Sequence, residues 1–346
     1  MIIEGKTMNE YQAFTEYFLS CNAQEREHII SGLMDLMGQN TGQDYSDIHY
    51  EEIHKHGIHC PHCSSASIRA NGKHKGLRTY YCKECTKYFS ETTGTPIAWL
   101  KKKDKWRTYL RCMLSGYSLR RCAQETGICL QTSFDWRHKI LSGFKSLSPE
   151  KFEGISESDD IFFLHSEKGN KHLQRKARKR GRKAKKAGIN DEHVAVIVTS
   201  DRAQHKDMQI AGTGRISKKD LDRVVGSKVD EKTVLCTDSH RSYSAFAKSR
   251  KIEHHKINVS KGQYVKDKAY HVQHVNNDVK RLRQWMDHFN GVATKYLQNY
   301  LNWFLILERL KTSTNKSVEF LTLALSCNRA WFEFKNIALN QVISRT

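Results

Sequence analysis

The chain has 346 residues, with 58 Lys and Arg against 37 Asp and Glu and a formal charge of +21 at pH 7. Single cores stop growing well before that length, so two or three domains are expected. The charge favours a polyanionic partner, nucleic acid or an anionic membrane surface, but no apolar run approaches the roughly 18 residues of a spanning helix and the N-terminus lacks a secretory pattern, which excludes a membrane protein.

Residues 1–55 carry apolar side chains at helical spacing (Tyr11, Phe14, Tyr17 and Phe18, then Ile29, Ile30, Leu33 and Leu36) and end in a polar stretch. This predicts a helical segment and a linker. Residues 56–95 hold Cys60, Cys63, Cys82 and Cys85 as two C-x2-C pairs with eighteen residues between them. That spacing lets two thiolate knuckles close one tetrahedral zinc site. The Tyr, Phe and Thr content around Cys82 predicts short strands, hence a small zinc β-ribbon. A site of four cysteines has no open coordination position, so the single Zn2+ is expected to be structural. The other six cysteines are scattered, as in a protein of a reducing cytosol.

Residues 96–148 read as three short helices. Gly116 ends the first, Ser118 can cap the second, Gly127 ends it, and Thr132 can cap the third. The tight glycine turn before the last helix predicts a helix-turn-helix, with Gln131, Thr132, Ser133, Arg137 and Lys139 facing DNA and Phe134, Ile140 and Leu141 packed inward. Pro149 marks the next boundary, and residues 149–312 alternate strand and helix. "DIFFLHS", "HVAVIVTS", "TVLCTD" and "EHHKINV" read as strands, "SKKDLDRVV" and "RSYSAFAKS" as helices, and Tyr270 to Lys311 as helical with a core-packing stripe. Residues 313–346 read as a closing helical segment.

An insertion at 168–186 follows the first of these strands. It holds eleven Lys or Arg and no acid, about half of the chain's excess charge. Its Arg175, Lys176, Arg178, Lys179, Arg180, Arg182 and Lys183 are expected to neutralise phosphates beside whatever the preceding strand carries. That strand carries Asp159 and Asp160, and Asp238 ends another. Aspartates arriving in one crevice from the ends of two strands can share divalent metal, the arrangement that supports in-line displacement at phosphorus. Side-chain alternation puts Asp160 opposite Asp159. Asp238 alone could cap a helix. Glu157 is either a supporting ligand or a strand-edge acid, and His271 and His274 read as surface or phosphate contacts. Asn276, on a later helix, is the candidate third ligand.

The order of these parts, zinc ribbon, "TTGTPIAWL", "TSFDWRHKIL", "ESDDIFFLHSEKG" with its basic tract, "VLCTD" and "HVQHVN…GVATKYLQNYLNWF", resembles the ISXO-like insertion-sequence transposases of bacteria over about Glu51 to Lys311. The resemblance implies a multidomain protein: a zinc β-ribbon and small helical domain, then an α/β ribonuclease-H-like catalytic domain with a mixed sheet and C-terminal helices. It implies an acidic triad that binds two Mg2+ ions, replaceable by Mn2+, and performs DNA cleavage and strand transfer. By position the triad falls on Asp159, Asp238 and Asn276. Asn276 departs from the more common glutamate and offers a neutral carbonyl ligand; Asp278 is the nearby carboxylate that could substitute. The implied partners are terminal inverted repeats, target DNA and a second copy of the chain on paired ends, in the bacterial cytoplasm at the nucleoid. The competing reading is a DNA-binding regulator whose catalytic domain is degenerate.

Overall fold

The computed structural model describes residues 4–26, 28–29, 55, 57–144, 149, 151–170, 173, 176, 184–258, 261–325, 327 and 329–339. The chain divides into two compact units, Met1–Ile58 and His59–Thr346. In the first, helix α1 (Glu4–Ser20) is followed from residue 23 by a further helical stretch, in which Arg26 Nε donates back to Phe18 O at 3.0 Å. Phe14 and Tyr17 of α1 are exposed. The expected stripe at Ile30, Leu33 and Leu36 lies outside the described residues.

The second unit opens with an antiparallel ribbon of β1 (Ile68–His74), β2 (Leu77–Cys82) and β3 (Tyr88–Ser90). Lys75 and Gly76 turn β1 into β2 with φ of 50° and 81°, both in the left-handed region that a two-residue hairpin requires. Three helices follow: α2 (Trp106–Leu114), α3 (Leu119–Thr126) and α4 (Leu130–Gly143). The Ser118 side chain caps α3, accepting from the Arg121 N–H, and Gly127 closes it at φ 60°. At α4 the N-cap is Cys129, so Thr132 sits inside the first turn and not at the cap expected for it.

The larger sheet has the order β6-β5-β4-β7-β8. Strand β4 (Ile155–Leu164) pairs antiparallel with β5 (His193–Asp201), and β5 with β6 (Lys206–Thr213). On its other side β4 pairs parallel with β7 (Val234–Thr237), and β7 with β8 (Glu253–Lys256). Strand β6 has no counterpart among the four strands expected from the sequence. Helices α5 (Lys218–Val224) and α6 (Arg241–Arg250) cover one face, through Leu221, Val224, Tyr243 and Phe246 against Ala195, Ile197 and Leu235. Helices α7 (Gln273–Asp287) and α8 (Thr294–Leu310) cover the other, against Ile161, Val196, Val198 and Cys236. The helical stretch expected from Tyr270 to Lys311 is thus two helices, broken where Asn290 and Gly291 take φ of 51° and 90°. α9 (Lys316–Leu325) and α10 (Ala330–Leu339) close the described chain.

One apolar cluster joins Trp106, Tyr109, Trp136 and Ile140 of α2 and α4 to Val196 and Met208 of the sheet and to Trp303 and Phe320 of α8 and α9. The helices before Pro149 therefore share a core with the α/β layers after it, and Pro149 does not separate two cores.

Candidate functional site

The four cysteines of the ribbon come together. Cys60 and Cys63 leave the loop before β1, and Cys82 and Cys85 the end of β2 and its turn. One Sγ from each lies within 4.8 Å of all the others, with Cys60–Cys85 and Cys63–Cys82 both at 3.5 Å. Tetrahedral zinc–thiolate geometry needs sulfur–sulfur distances of about 3.8 Å, so the set fits such an ion. Backbone N–H donation around Cys85 draws the Cys82 thiol down to about 7, whereas burial pushes Cys60 up to about 12. The residue after each pair, Ser64 and Thr86, has positive φ (64° and 56°), which turns the chain sharply behind the second thiol.

The carboxylates come together through sheet register. Ser158 of β4 pairs with Thr237, the last residue of β7. Asp159 therefore lies where β7 stops, beside Asp238, and alternation places both on the α7 face with Glu157 and Cys236. Asp159 is not at a strand end as expected: β4 runs from Ile155, and it is the short β7 that ends, at Thr237, beside Asp159. Burial, with the charge of Asp238 added, holds the Asp159 carboxyl above its ordinary value, while Arg283 opposes the rise. Asp160, on the opposite face, is pushed up to about 7 by burial and then by the charges of Asp159 and Asp238. Neighbouring carboxylates that disfavour one another's charge form a well for a cation, and oxygen donors are what a hard divalent ion requires.

Asp238 is not the cap of α6. That role belongs to His240, whose ring accepts from the Ser242 N–H, while Asp238 Oδ1 accepts from the His240 N–H at 3.0 Å. Asn276 is exposed in the first turn of α7. Seven residues bring a helix back to within about 20°, so Asn276 shares a stripe with Arg283, the residue whose charge reaches Asp159. Asp278, the other carboxylate on this helix, is instead 2% exposed and bonded to Lys206 at 2.7 Å and to Arg281 on the β6 side.

Glu157 has a role the sequence reading left open. At 1% exposure, its Oε2 accepts from the N–H groups of His274 and Val275 at 2.8 and 3.1 Å, and so anchors the N-terminus of α7 to β4. Arg202 meets its Oε1 at 3.0 Å and donates to His274 Nδ1 at 2.6 Å and His271 Nε2 at 3.1 Å. Burial lowers the His271 pKa, which suits a ring that accepts from Arg202. Glu157, His271 and His274 have ligand atoms close enough to hold a metal, but the Arg202 guanidinium fills the space between them. The carboxylate here stabilises a helix start, where anions are favoured.

Helix α4 departs most from expectation. Gln131 is exposed and Thr132 half-buried, but Ser133, Arg137 and Lys139 are buried and do not face solvent. Ser133 Oγ donates to Leu119 O at 2.9 Å. Arg137 lies 4.8 Å from the Trp303 ring, with Nη2 donating to Tyr117 O and to Cys122 Sγ. Lys139 Nζ lies 4.0 Å from the Trp331 ring of α10. The cause is the packing of α8, α9 and α10 on the face that a free recognition helix would present. Phe134 is only half-buried, edge-on to Tyr296, whereas Ile140 and Leu141 are fully buried. Of the expected basic contacts in the insertion, Lys176 is described; Arg175, Arg178, Lys179, Arg180, Arg182 and Lys183 lie outside the described residues. Lys168 at the start of the tract donates to Asn290 O and Gly291 O at 3.2 and 2.8 Å, tying it to the α7–α8 loop.

Residues 151–305, from the residue before Phe152 to the middle of α8, match the family model of the ISXO2-like transposase domain. This segment is an ISXO2-like transposase domain. The chain is also 23% identical over 256 residues to a Halobacterium salinarum protein described as an uncharacterized protein in the transposable element ISH50. That likeness covers 72% of this chain and 85% of the archaeal one. Among solved structures, a pre-cleavage Mos1 transpososome matches over 67% of this chain and 78% of that chain at 8% identity, with a TM-score of 0.23, too low to bear on the fold. No described helix is long and apolar enough to cross a membrane.

Proposed function

We propose that the chain is the DNA transposase of an insertion sequence, binding terminal inverted repeats and catalysing metal-dependent 3′-end cleavage and strand transfer. The observation that carries this reading is the meeting of Asp159 and Asp238 on one face of the transposase domain, where β7 ends and the sheet opens. Asp159, Asp238 and the amide oxygen of Asn276 would hold divalent metal, Mg2+ or Mn2+. Bound there, the metal would supply Lewis acidity at a phosphodiester and lower the pKa of an attacking hydroxyl. The chain's own residues do the rest. Glu157 and Arg202 fix the start of α7, the α7 stripe presents Asn276, and Arg283 stands near enough to balance surplus negative charge.

The layered sheet and C-terminal helices support the ribonuclease-H-like reading of this domain. The ribbon's thiols would hold one structural Zn2+, and the ribbon with the first turn of α4, exposed at Gln131 and half-buried at Thr132, would contact the repeat. The basic insertion would track phosphates of the same DNA. Two copies would pair the element's ends, in the cytoplasm at the nucleoid. The regulator reading keeps one observation in its favour, the neutral Asn276 where a carboxylate would bind metal more tightly.

The test is a strand-transfer assay with purified protein, labelled terminal-repeat duplex, plasmid target and Mg2+. Joined product from wild type and none from Asp159→Ala supports the transposase. Specific binding by wild type without cleavage or joining, in Mg2+ and in Mn2+, supports the regulator.

A further inference from the structure

Trp99 is 81% exposed and sits on an uncommon backbone conformation. Its φ is 61°, in the left-handed region that bulky residues avoid. The residues on either side, Ala98 and Leu100, are 1% and 9% exposed. Successive turns close around it, Ala98 N–H to Thr95 O at 3.1 Å and Leu100 N–H to Ile97 O at 3.2 Å. The indole is therefore fixed outward by anchors on both sides. From Trp99 to Arg107 the chain carries five Lys or Arg and one acid, and Lys101, Lys102 and Lys103 are exposed. Beneath Trp99 lies a cleft whose walls include Lys101, Lys102 and, from α4, Thr132, Asp135 and Lys139.

A flat aromatic face in water beside a cluster of cations fits a ligand that is both flat and anionic. A nucleic acid with an unstacked base has that chemistry, since every base has a π-face and sits between two phosphates. A fully paired duplex does not offer the face, because its bases are stacked on one another. We propose that Trp99 is a stacking platform for an unpaired nucleobase of bound DNA, with Lys101 and Lys102 holding the phosphates on either side. The proposal rests on the DNA-binding reading above and adds a site to it. It moves the DNA contact from the buried half of α4 to the strap that precedes α2 and the first turn of α4.

The experiment uses the full chain and two labelled duplexes, one fully paired and one carrying a single unpaired 2-aminopurine, with affinities measured across a salt series. Wild type is expected to quench the 2-aminopurine. Trp99→Ala should lose about tenfold in affinity for the unpaired-base duplex, little for the paired one, and keep the salt slope. Trp99→Phe should recover most of the loss. Lys101→Ala with Lys102→Ala should instead lower the log-log salt slope by roughly 1.8 on the unpaired-base duplex. Equal binding of both duplexes by wild type and Trp99→Ala overturns the proposal and leaves the DNA-binding reading standing. Failure of wild type to bind either duplex overturns both. Loss of self-association in Trp99→Ala, with DNA binding unchanged, assigns the indole to a second copy of the chain and also overturns it.

Discussion

The cysteine cluster and the carboxylate crevice are built in opposite ways. The four thiols come from 26 consecutive residues, and one hairpin suffices to bring them within 4.8 Å of one another. Asp159, Asp238 and Asn276 are spread over more than a hundred residues, and their placement depends on the register of β4 on β7 and on the seating of α7. A local site can be broken only by touching its own ligands or turns. An assembled site can be disabled from a distance, and Glu157 is the place to do it.

The largest effect is expected at the ribbon. Cys60→Ser, or treatment with a strong chelator, should release one zinc per chain and expose residues 59–95 to proteolysis, while the transposase domain keeps its fold. Metal-coupled folding is worth about 10 kcal/mol or more in isolated zinc modules, enough to decide whether so small a ribbon folds. Zinc content measured alongside limited proteolysis reads both, and an intact, metal-free ribbon would remove the contrast between the two sites.

Next comes Glu157→Ala, which removes the counter-charge of Arg202 and the acceptor of two N–H groups of α7. Removing one partner of a buried pair costs about 3–5 kcal/mol. Global stability in urea should fall by about 3 kcal/mol, and divalent-metal affinity should fall with it although no proposed ligand is altered. Glu157→Gln, which keeps one acceptor oxygen, should fall between. If the metal affinity of Glu157→Ala equals that of wild type, the α7 anchor has no part in the crevice.

A smaller effect, dependent on pH, is expected at Asp160. Its folded value of about 7 stands above the ordinary 3.8. As pH rises from about 4 to 7 the unfolded chain ionises here first, so this group lowers stability across that window and adds no further change above it. Asp160→Asn should therefore be more stable than wild type at pH 8, with the gap closing toward pH 4. Thermal unfolding of both proteins at the two pH values would show it; a gap that widens on acidification has the wrong sign. The smallest effect belongs to Thr86→Gly. Relief of a β-branched residue at φ 56° should offset the entropy of glycine and stabilise the ribbon by a few tenths of a kcal/mol.

The same contrast decides what was legible in the sequence. Cysteine spacing is written along the chain, so the ribbon site could be read without register. Asp159 and Asp238 could be picked as strand acids, but that β7 stops at Thr237 and so opens the sheet beside Asp159 is a property of the pairing. Strand β6 escaped because "KDMQIAGT" buries Asp207 through an ion pair with Lys228, which blurs the apolar alternation expected of a strand. The role of Glu157 needed Arg202, His271 and His274 to be brought to it from 45 and more residues away. Arg137 and Lys139 were misread for a related reason: basic residues on a third helix suggest a DNA face, and only the packing of Trp303 and Trp331 shows them to be interior.

Titration of Mn2+ into the full chain, followed by calorimetry or paramagnetic resonance, tests the shared crevice most directly. Tight binding by wild type, lost in both Asp159→Asn and Asp238→Asn and kept in His271→Ala, is the expected result. Binding that survives both aspartate substitutions and disappears with His271→Ala would place the metal at Glu157 and contradict the crevice.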